Sequence, residues 1–317
     1  MTALRVGIVG TGYAAKRRAD AFQQEQRSQL IAVTGHRESS RQSFAAIYGI
    51  EAIATWQELV QRPDLDIVVV CNINRKHGAI ARAALEADKH VVVEYPLALD
   101  PTEAAEIVEL ARTKKKLLHV EHIEILGGLH QTIREYLPKL GQIFFAKYMT
   151  LAPKRHPLPH WTFHHKDYGF PLVAALSRVN RFIDLFGEVD TVQGTADFLP
   201  SEFEGYYKSC LCAAQFKFQS GVVAHLTYGK GSLVTTGDRR FTIYGDKGTL
   251  EFNGSQGTLT QGETTTPIKL GSRRGVFLRD TTAVLDYLIA GKPLYIQPEQ
   301  SLYALKIADQ IRHDTLK

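Results

Sequence analysis

The chain has 317 residues, of which 44% are hydrophobic and 22% charged, with a formal net charge of +5. That length and apolar content allow a sizeable core and two domains of ordinary size, and exclude a disordered chain or a small disulfide scaffold, since Cys71, Cys210 and Cys212 make no disulfide framework. Basic residues are scattered, and the one run, Lys114-Lys115-Lys116, reads as a solvated turn; nucleic acid binding is not implied, whereas an anionic small molecule suits the balance. The β-branched runs Leu4–Val9, Leu30–Thr34, Ile67–Cys71, His90–Glu94 and Leu117–Val120 are predicted strands. They alternate with helical stretches such as His77–Ala87, whose Ile80, Ala83 and Ala84 carry the helical period. Asp100-Pro101-Thr102-Glu103 supplies an N-cap, a proline at the first helical position and an acid in the first turn, so a helix begins there. This alternation predicts an α/β domain with a parallel sheet over residues 1–122.

After residue 123 the pattern becomes longer alternating segments: Ile143–Met149, Thr191–Phe198, Cys210–Phe218, Val222–Tyr228 and Arg240–Tyr244. They predict a large, mainly antiparallel sheet with one buried face, in an α+β domain spanning residues 123–317. The turn Gly245-Asp246-Lys247-Gly248 ahead of Thr249-Leu250-Glu251-Phe252 predicts a hairpin. Leu302–Ile311 regains a helical period, and that helix is expected to pack back near the first domain. No apolar run approaches the roughly 18 residues of a membrane span and the first strand starts almost at once, so a cytoplasmic protein is expected.

Directly after the first strand, Gly10-Thr11-Gly12-Tyr13-Ala14-Ala15 forms a G-x-G-x-x-A turn opening a helix. Gly10 allows the tight turn, Gly12 lets backbone approach a pyrophosphate, Ala15 permits close helix–strand packing, and the helix N-terminus offers donors to the anion. A dinucleotide is therefore the expected cofactor. The second strand ends Thr34-Gly35-His36-Arg37-Glu38-Ser39, without the acid that would bind the ribose of NAD. His36, Arg37 and Ser39 suit a 2′-phosphate, so NADPH is favoured, with NADH the weaker alternative; Arg37 facing solvent is the plain structural alternative.

Gly10-Thr11-Gly12, Asn74-x-x-His77, Glu94-x-Pro96 and Gly245–Phe252 resemble the glucose-fructose oxidoreductase and inositol dehydrogenase (Gfo/Idh/MocA) family over essentially the whole chain. Within it, Glu94-Tyr95-Pro96-Leu97 and Leu118–Glu124 are similar to the biliverdin reductases, and Gly169–Arg178 with Gly271–Gly275 most resemble their cyanobacterial members. The resemblance implies cofactor contacts for Asn72, Asn74, His77 and Glu94. It also exposes two departures from the sugar dehydrogenases: Tyr95 stands at their Glu-Lys-Pro lysine, and Ser177 and Asn180 stand at the histidine and aspartate of their Gly-x-His-x-x-Asp segment, counted back from Leu185-Phe186-Gly187-Glu188-Val189. Both groups serve a substrate hydroxyl, so their loss argues against alcohol oxidation.

What the resemblance implies instead is reduction of biliverdin to bilirubin, as part of tetrapyrrole metabolism, with hydride passing to the central methine carbon and a proton to a pyrrole nitrogen. Arg178 is the expected catalytic contact to the bilin, acting by charge or by orienting water, since a guanidinium is a poor acid. Tyr95 is expected to donate a hydrogen bond or close one wall. Lys230, Arg273 and Arg274 are candidates for the propionates, and Glu121 and His122, at the carboxyl end of the Leu117–Val120 strand, for lining the site, with domain-interface hydrogen bonding as their alternative. No metal is expected: His156, His160, His164 and His165 fall in a loop where Pro157 and Pro159 discourage a helix. Two further readings stay open, a sugar or polyol dehydrogenase with rearranged acid–base groups and a non-catalytic dinucleotide-sensing regulator. Oligomeric state has no signature in the sequence.

Overall fold

The structure is a computed structural model, and it describes residues 3–153 and 157–315. The chain divides into two compact units, Met1–Ile123 with Gly275–Tyr303, and Glu124–Arg274 with Ala304–Lys317.

In the first unit, β1 (Leu4–Val9), β2 (Ser28–Thr34), β3 (Glu51–Ile53), β4 (Ile67–Val70), β5 (His90–Val93) and β6 (Leu118–Val120) form a parallel sheet of order β3-β2-β1-β4-β5-β6. Chain direction across the sheet reverses between β1 and β4, the place where such sheets bind ligands beyond their carboxyl ends. β4 is buried at all four positions, Ile67-Val68-Val69-Val70, because helices cover both faces of a parallel sheet. The helix expected after Asp100 runs Pro101–Lys114, and Asp100 accepts from the amides of Thr102 at 2.6 Å and Glu103 at 3.4 Å.

The first unit also includes a segment that the alternation pattern assigned to the second domain. Val284, Leu285 and Leu294 join Val6, Phe22 and Phe44 in one core cluster. A polar bond completes this packing: Arg18, on the helix Tyr13–Gln24, pairs through Nη1 with Asp280 on the helix Val276–Ala290, and both side chains are fully buried. Burial opposes the Arg18 charge, yet Asp280 and Glu94 beside it raise its pKa further, and the carboxyl of Asp280 is held well below the usual carboxylate range.

The second unit contains β7 (Ile143–Pro153), β8 (Val189–Pro200), β9 (Tyr207–Phe218), β10 (Val223–Gly231), β11 (Asp238–Gly245), β12 (Gly248–Asn253), β13 (Gln256–Gln261) and β14 (Thr264–Lys269). They form one sheet of order β14-β13-β12-β11-β7-β10-β9-β8, antiparallel except where β10 runs parallel to β7. The helix Ser177–Phe186 lies on the buried face, where Phe182 meets Tyr148, Phe216, Phe218 and Phe241 with ring centroids 5.6–6.5 Å apart. The expected hairpin is β11–β12, with Gly245 opposite Gly248; a side chain at Gly245 would place its Cβ 2.1 Å from the Leu140 carbonyl oxygen. The expected C-terminal helix runs Pro298–Thr315, and the boundary between the units falls inside it.

Replacing Arg18 by Met removes the cation of a fully buried ion pair and leaves the Asp280 charge to His119 and Tyr295. Denaturant titration of Arg18→Met is expected to show a loss of about 3–5 kcal/mol; a loss below about 1 kcal/mol, the size of an exposed pair, contradicts the assignment.

Candidate active site

The glycine-rich turn joins β1 to the helix Tyr13–Gln24. Gly10 has φ +134°, and a Cβ there would lie 2.1 Å from the Cys71 carbonyl oxygen, so no other residue fits. Gly12 is different: a Cβ at this position meets nothing within 4 Å, so the protein itself does not require glycine there. Gly12 is also the N-cap of the helix, has no side chain to cap it, and no acid follows in the first turn. First-turn amides without a side-chain acceptor and open space above Gly12 fit a phosphate group approaching the backbone. Ala15 is fully buried, Ala14 half-buried, and Tyr13 lies exposed with its ring edge 6.4 Å from Phe277.

Beyond β2, Gly35 packs tightly on Thr11, and the helix Glu38–Tyr48 begins with Arg37 as an uncapped N-cap. A groove of about 270 Å³ opens here, lined by Thr11, Lys16, Ser39, Ser40, Ser43 and Phe44, with Ile47 at its edge. Of the residues expected to read a 2′-phosphate, Ser39 lines this groove, whereas His36 and Arg37 are exposed outside its lining. Lys16 supplies the cation and was not signalled by the motif, because its relevance depends on which way the first helix faces.

The carboxyl ends of β4 to β6 carry the next group. Asn72 accepts from the Ile73 amide at 2.8 Å, and Asn74 is buried. His77 is 1% exposed and spans two strand-end loops, Nδ1 lying 2.8 Å from the Pro96 oxygen and Nε2 2.9 Å from the Asn72 oxygen. This makes it a brace of the loops. Glu94 accepts from Arg18 Nε at 3.0 Å. Tyr95 is half-buried, follows Glu94 through to a cis bond with Pro96, and stacks on His122 at 5.2 Å.

Glu121 and His122 are 2% and 0% exposed, so they stand behind Tyr95 rather than on a surface. Burial and the neighbouring Glu94 charge push the Glu121 carboxyl well above its usual range. Burial pushes the His122 imidazole down to about 3, keeping it neutral while it meets Ser301 Oγ at 2.9 Å and its amide donates to Tyr295 Oη at 3.2 Å. Tyr295 donates in turn to Asp280 at 2.5 Å, and His119 Nε2 lies 2.7 Å from the same carboxyl oxygen.

In the second unit Arg178 and Arg181 lie one turn apart on the helix Ser177–Phe186, with Ser177 and Asn180 buried beside them. The Arg178 guanidinium lies 4.7 Å from the Tyr228 ring centroid. Arg181 is 2% exposed, lies 5.5 Å from the Tyr148 ring and donates to Glu124 at 3.1 Å. Arg273 pairs with the other oxygen of Glu124, and Arg274 is exposed. Burial alone would raise Glu124 and the Tyr148 phenol, but surrounding arginines, among them Arg178, Arg181 and Arg239, hold both below their usual ranges.

Lys230 does not present an open ammonium for a propionate. Its Nζ lies 3.4 Å from the Tyr168 ring centroid, 4.7 Å from Phe163 and 5.6 Å from Tyr207, and donates to the Thr162 carbonyl. Of the loop histidines, His160 meets Thr162 at 2.8 Å, His164 meets Asp167 at 2.9 Å, and His165 packs on Phe198 and Tyr207; His156 lies outside the described residues. Among the described residues, no helix is long and apolar enough to cross a membrane.

Residues 4–122 match the model described as "Oxidoreductase family, NAD-binding Rossmann fold", and residues 137–313 match "Oxidoreductase family, C-terminal alpha/beta domain". The chain belongs to the Gfo/Idh/MocA oxidoreductase family. The crystal structure of biliverdin reductase in complex with biliverdin and NADP+ from Synechocystis sp. PCC 6803 superposes with a TM-score of 0.97 at 50% identity, covering 99% of both chains. Biliverdin reductase A of Mus musculus is 23% identical over 310 residues, 97% of this chain and 94% of its own. KijD10, a 3-ketoreductase from Actinomadura kijaniata in complex with NADP and TDP-benzene, has the same fold at a TM-score of 0.87 and 20% identity, covering 99% of this chain and 98% of its own.

Lys230 gives this oxidoreductase a pH-dependent stability. Burial, with the Arg178 charge working the same way and Cys210 against it, brings its pKa from an ordinary 10.5 to about 7. Between those values the unfolded chain binds the extra proton, so stability rises with pH. Melting curves from pH 6 to pH 10 (roughly the window set by the two values) are expected to show this rise in the native chain and its loss in Lys230→Met.

Proposed function

We propose that this chain reduces biliverdin to bilirubin with NADPH, hydride reaching the central methine carbon and a proton a pyrrole nitrogen. The observation that carries the reading is the 50% identity, sustained over 99% of both chains, to an enzyme crystallised with biliverdin and NADP+. Two local features support it. Tyr95 and Ser177 occupy the positions at which sugar dehydrogenases of this family carry the acid–base groups of alcohol chemistry, and Lys16 with Ser39, Ser40 and Ser43 lines a groove suited to a phosphate monoester.

When bound, NADPH supplies the hydride. Gly10, Thr11 and Gly12 hold the pyrophosphate against the helix N-terminus, Lys16 and the groove serines take the 2′-phosphate, and Asn72, Asn74, His77 and Glu94 shape the strand-end loops beside it. The permanently charged Arg178 stabilises negative charge building on the bilin and orients the water that delivers the proton. Tyr95 closes one wall and donates a hydrogen bond, its ring stacked on His122. Arg273 and Arg274, on an exposed stretch, meet the propionates; the buried Lys230 does not.

Mixing the protein with NADPH and biliverdin and following bilirubin absorbance tests the reading. Turnover of a sugar alcohol with NADP+ instead indicates a polyol dehydrogenase, and dinucleotide binding with no turnover indicates a regulator.

Arg178→Ala is expected to lower kcat and kcat/KM together by about 2–4 kcal/mol, with KM for NADPH little changed and partial rescue by Arg178→Lys. Near-native turnover removes Arg178 from the mechanism. Lys16→Ala is expected to raise KM for NADPH about tenfold or more while leaving KM for NADH within about twofold, the loss of one charge-assisted contact. Equal losses for both cofactors mean that Lys16 does not read the 2′-phosphate.

A further inference from the structure

Arg178 must keep one orientation to act on a planar substrate, and it lies in a cationic part of the second unit, where its charge and those of Arg181, Arg273 and Arg239 hold the Glu124 carboxyl below its usual range. An aromatic ring gives it a defined seat. The guanidinium lies over Tyr228, which is 6% exposed on β10, and the Tyr228 hydroxyl meets the Tyr168 hydroxyl at 3.1 Å. Tyr168 is itself buried, and its ring carries the Lys230 nitrogen at 3.4 Å. Lys230 is fixed by donating to the Thr162 carbonyl.

The geometry points to Tyr228 as a positioning residue for the proposed reaction: its ring is the platform that orients Arg178, and Tyr168, clamped by Lys230, fixes the platform. The physical basis is that a guanidinium over a desolvated aromatic face is held there electrostatically by the ring quadrupole. This assignment explains why a costly buried lysine sits in an aromatic box away from any substrate carboxylate: it is the far end of the chain of contacts that ends at Arg178. It rests on the reading of Arg178 as the bilin-facing residue.

The test has a catalytic and a non-catalytic arm. In the catalytic arm, Tyr228→Leu is expected to lower kcat on the order of 10-fold to 30-fold, with KM for NADPH unchanged, and Tyr228→Phe, which keeps the ring, to recover most of it. Combined with Arg178→Ala, Tyr228→Leu is expected to cost nothing further, because it acts through the guanidinium. A full additional loss in that double variant overturns the proposal.

In the non-catalytic arm, NMR of the ¹⁵N-labelled arginine side chains, assigned with Arg178→Ala, reads the ring-current shift of the Arg178 Nε–H. The shift is expected to persist in Tyr228→Phe and vanish in Tyr228→Leu; should Tyr228→Leu fail to fold, Tyr168→Phe is expected to move it by loosening the platform. An Arg178 signal indifferent to every one of these changes overturns the proposal. If the unmodified protein forms no bilirubin, the functional reading fails, while the NMR arm still decides the platform.

Discussion

Arg18 is the residue on which the first unit turns. Its guanidinium is removed from water entirely, and two carboxylates offset that cost: Glu94, at the end of β5, and Asp280, on the helix of the returning segment. Three stretches far apart in the chain are joined there: the helix that follows the glycine turn, the loop that carries Tyr95, and the segment beginning at Gly275. Because Asp280 also takes His119 and Tyr295, and Tyr295 receives the His122 amide, the support extends to the ring on which Tyr95 stacks. The glycine turn and Tyr95 are thereby tied to one buried charge.

The second unit solves the opposite problem. It gathers arginines around Glu124, where Arg178, Arg181, Arg239 and Arg273 all act on one carboxyl. Like charges gathered in this way repel one another and suit an anionic ligand. Aromatic faces lie against these charges: Tyr148 is beside Arg181 and Tyr228 beneath Arg178, while three rings surround Lys230. The same arginines hold Tyr148 below the usual phenol range in spite of burial. These charges and rings are assembled on a sheet whose apolar face supplies the rigidity.

Much of this was legible in the sequence where a residue's role is local. β1, β2, β4 and β5 announce themselves because strands buried on both faces read as unbroken apolar runs. Gly10 and Gly12 announce themselves because backbone conformation and phosphate approach demand glycine in a short motif. β3 escaped notice because three residues show no period, and β13 and β14 because their polar, threonine-rich residues alternate poorly; Pro267 sits in β14, tolerated at a sheet edge.

The rest depends on contacts distant in sequence. Arg18 meets partners 76 and 262 residues away, so nothing near it marks it as buried. From the sequence Lys230 is a candidate for a propionate, because the box around it is built from Phe163, Tyr168 and Tyr207, on other elements. Lys16 joins Ser39 only when two helices face one groove. His77, Glu121 and His122 were recognised as belonging near the site, yet their burial assigns them to its scaffold rather than its surface, a distinction that side-chain type does not carry.

The central claim, that hydride passes directly to the central methine carbon of biliverdin, is tested most directly by isotope transfer. NADPH deuterated at the transferred position is mixed with biliverdin and the protein in ordinary water, and the product is read by mass spectrometry and NMR. The account predicts bilirubin carrying a single deuterium on its central carbon, and no label there when the deuterium is supplied by the solvent instead. Bilirubin labelled at that carbon from solvent, or oxidation of NADPH with no bilirubin formed, contradicts it.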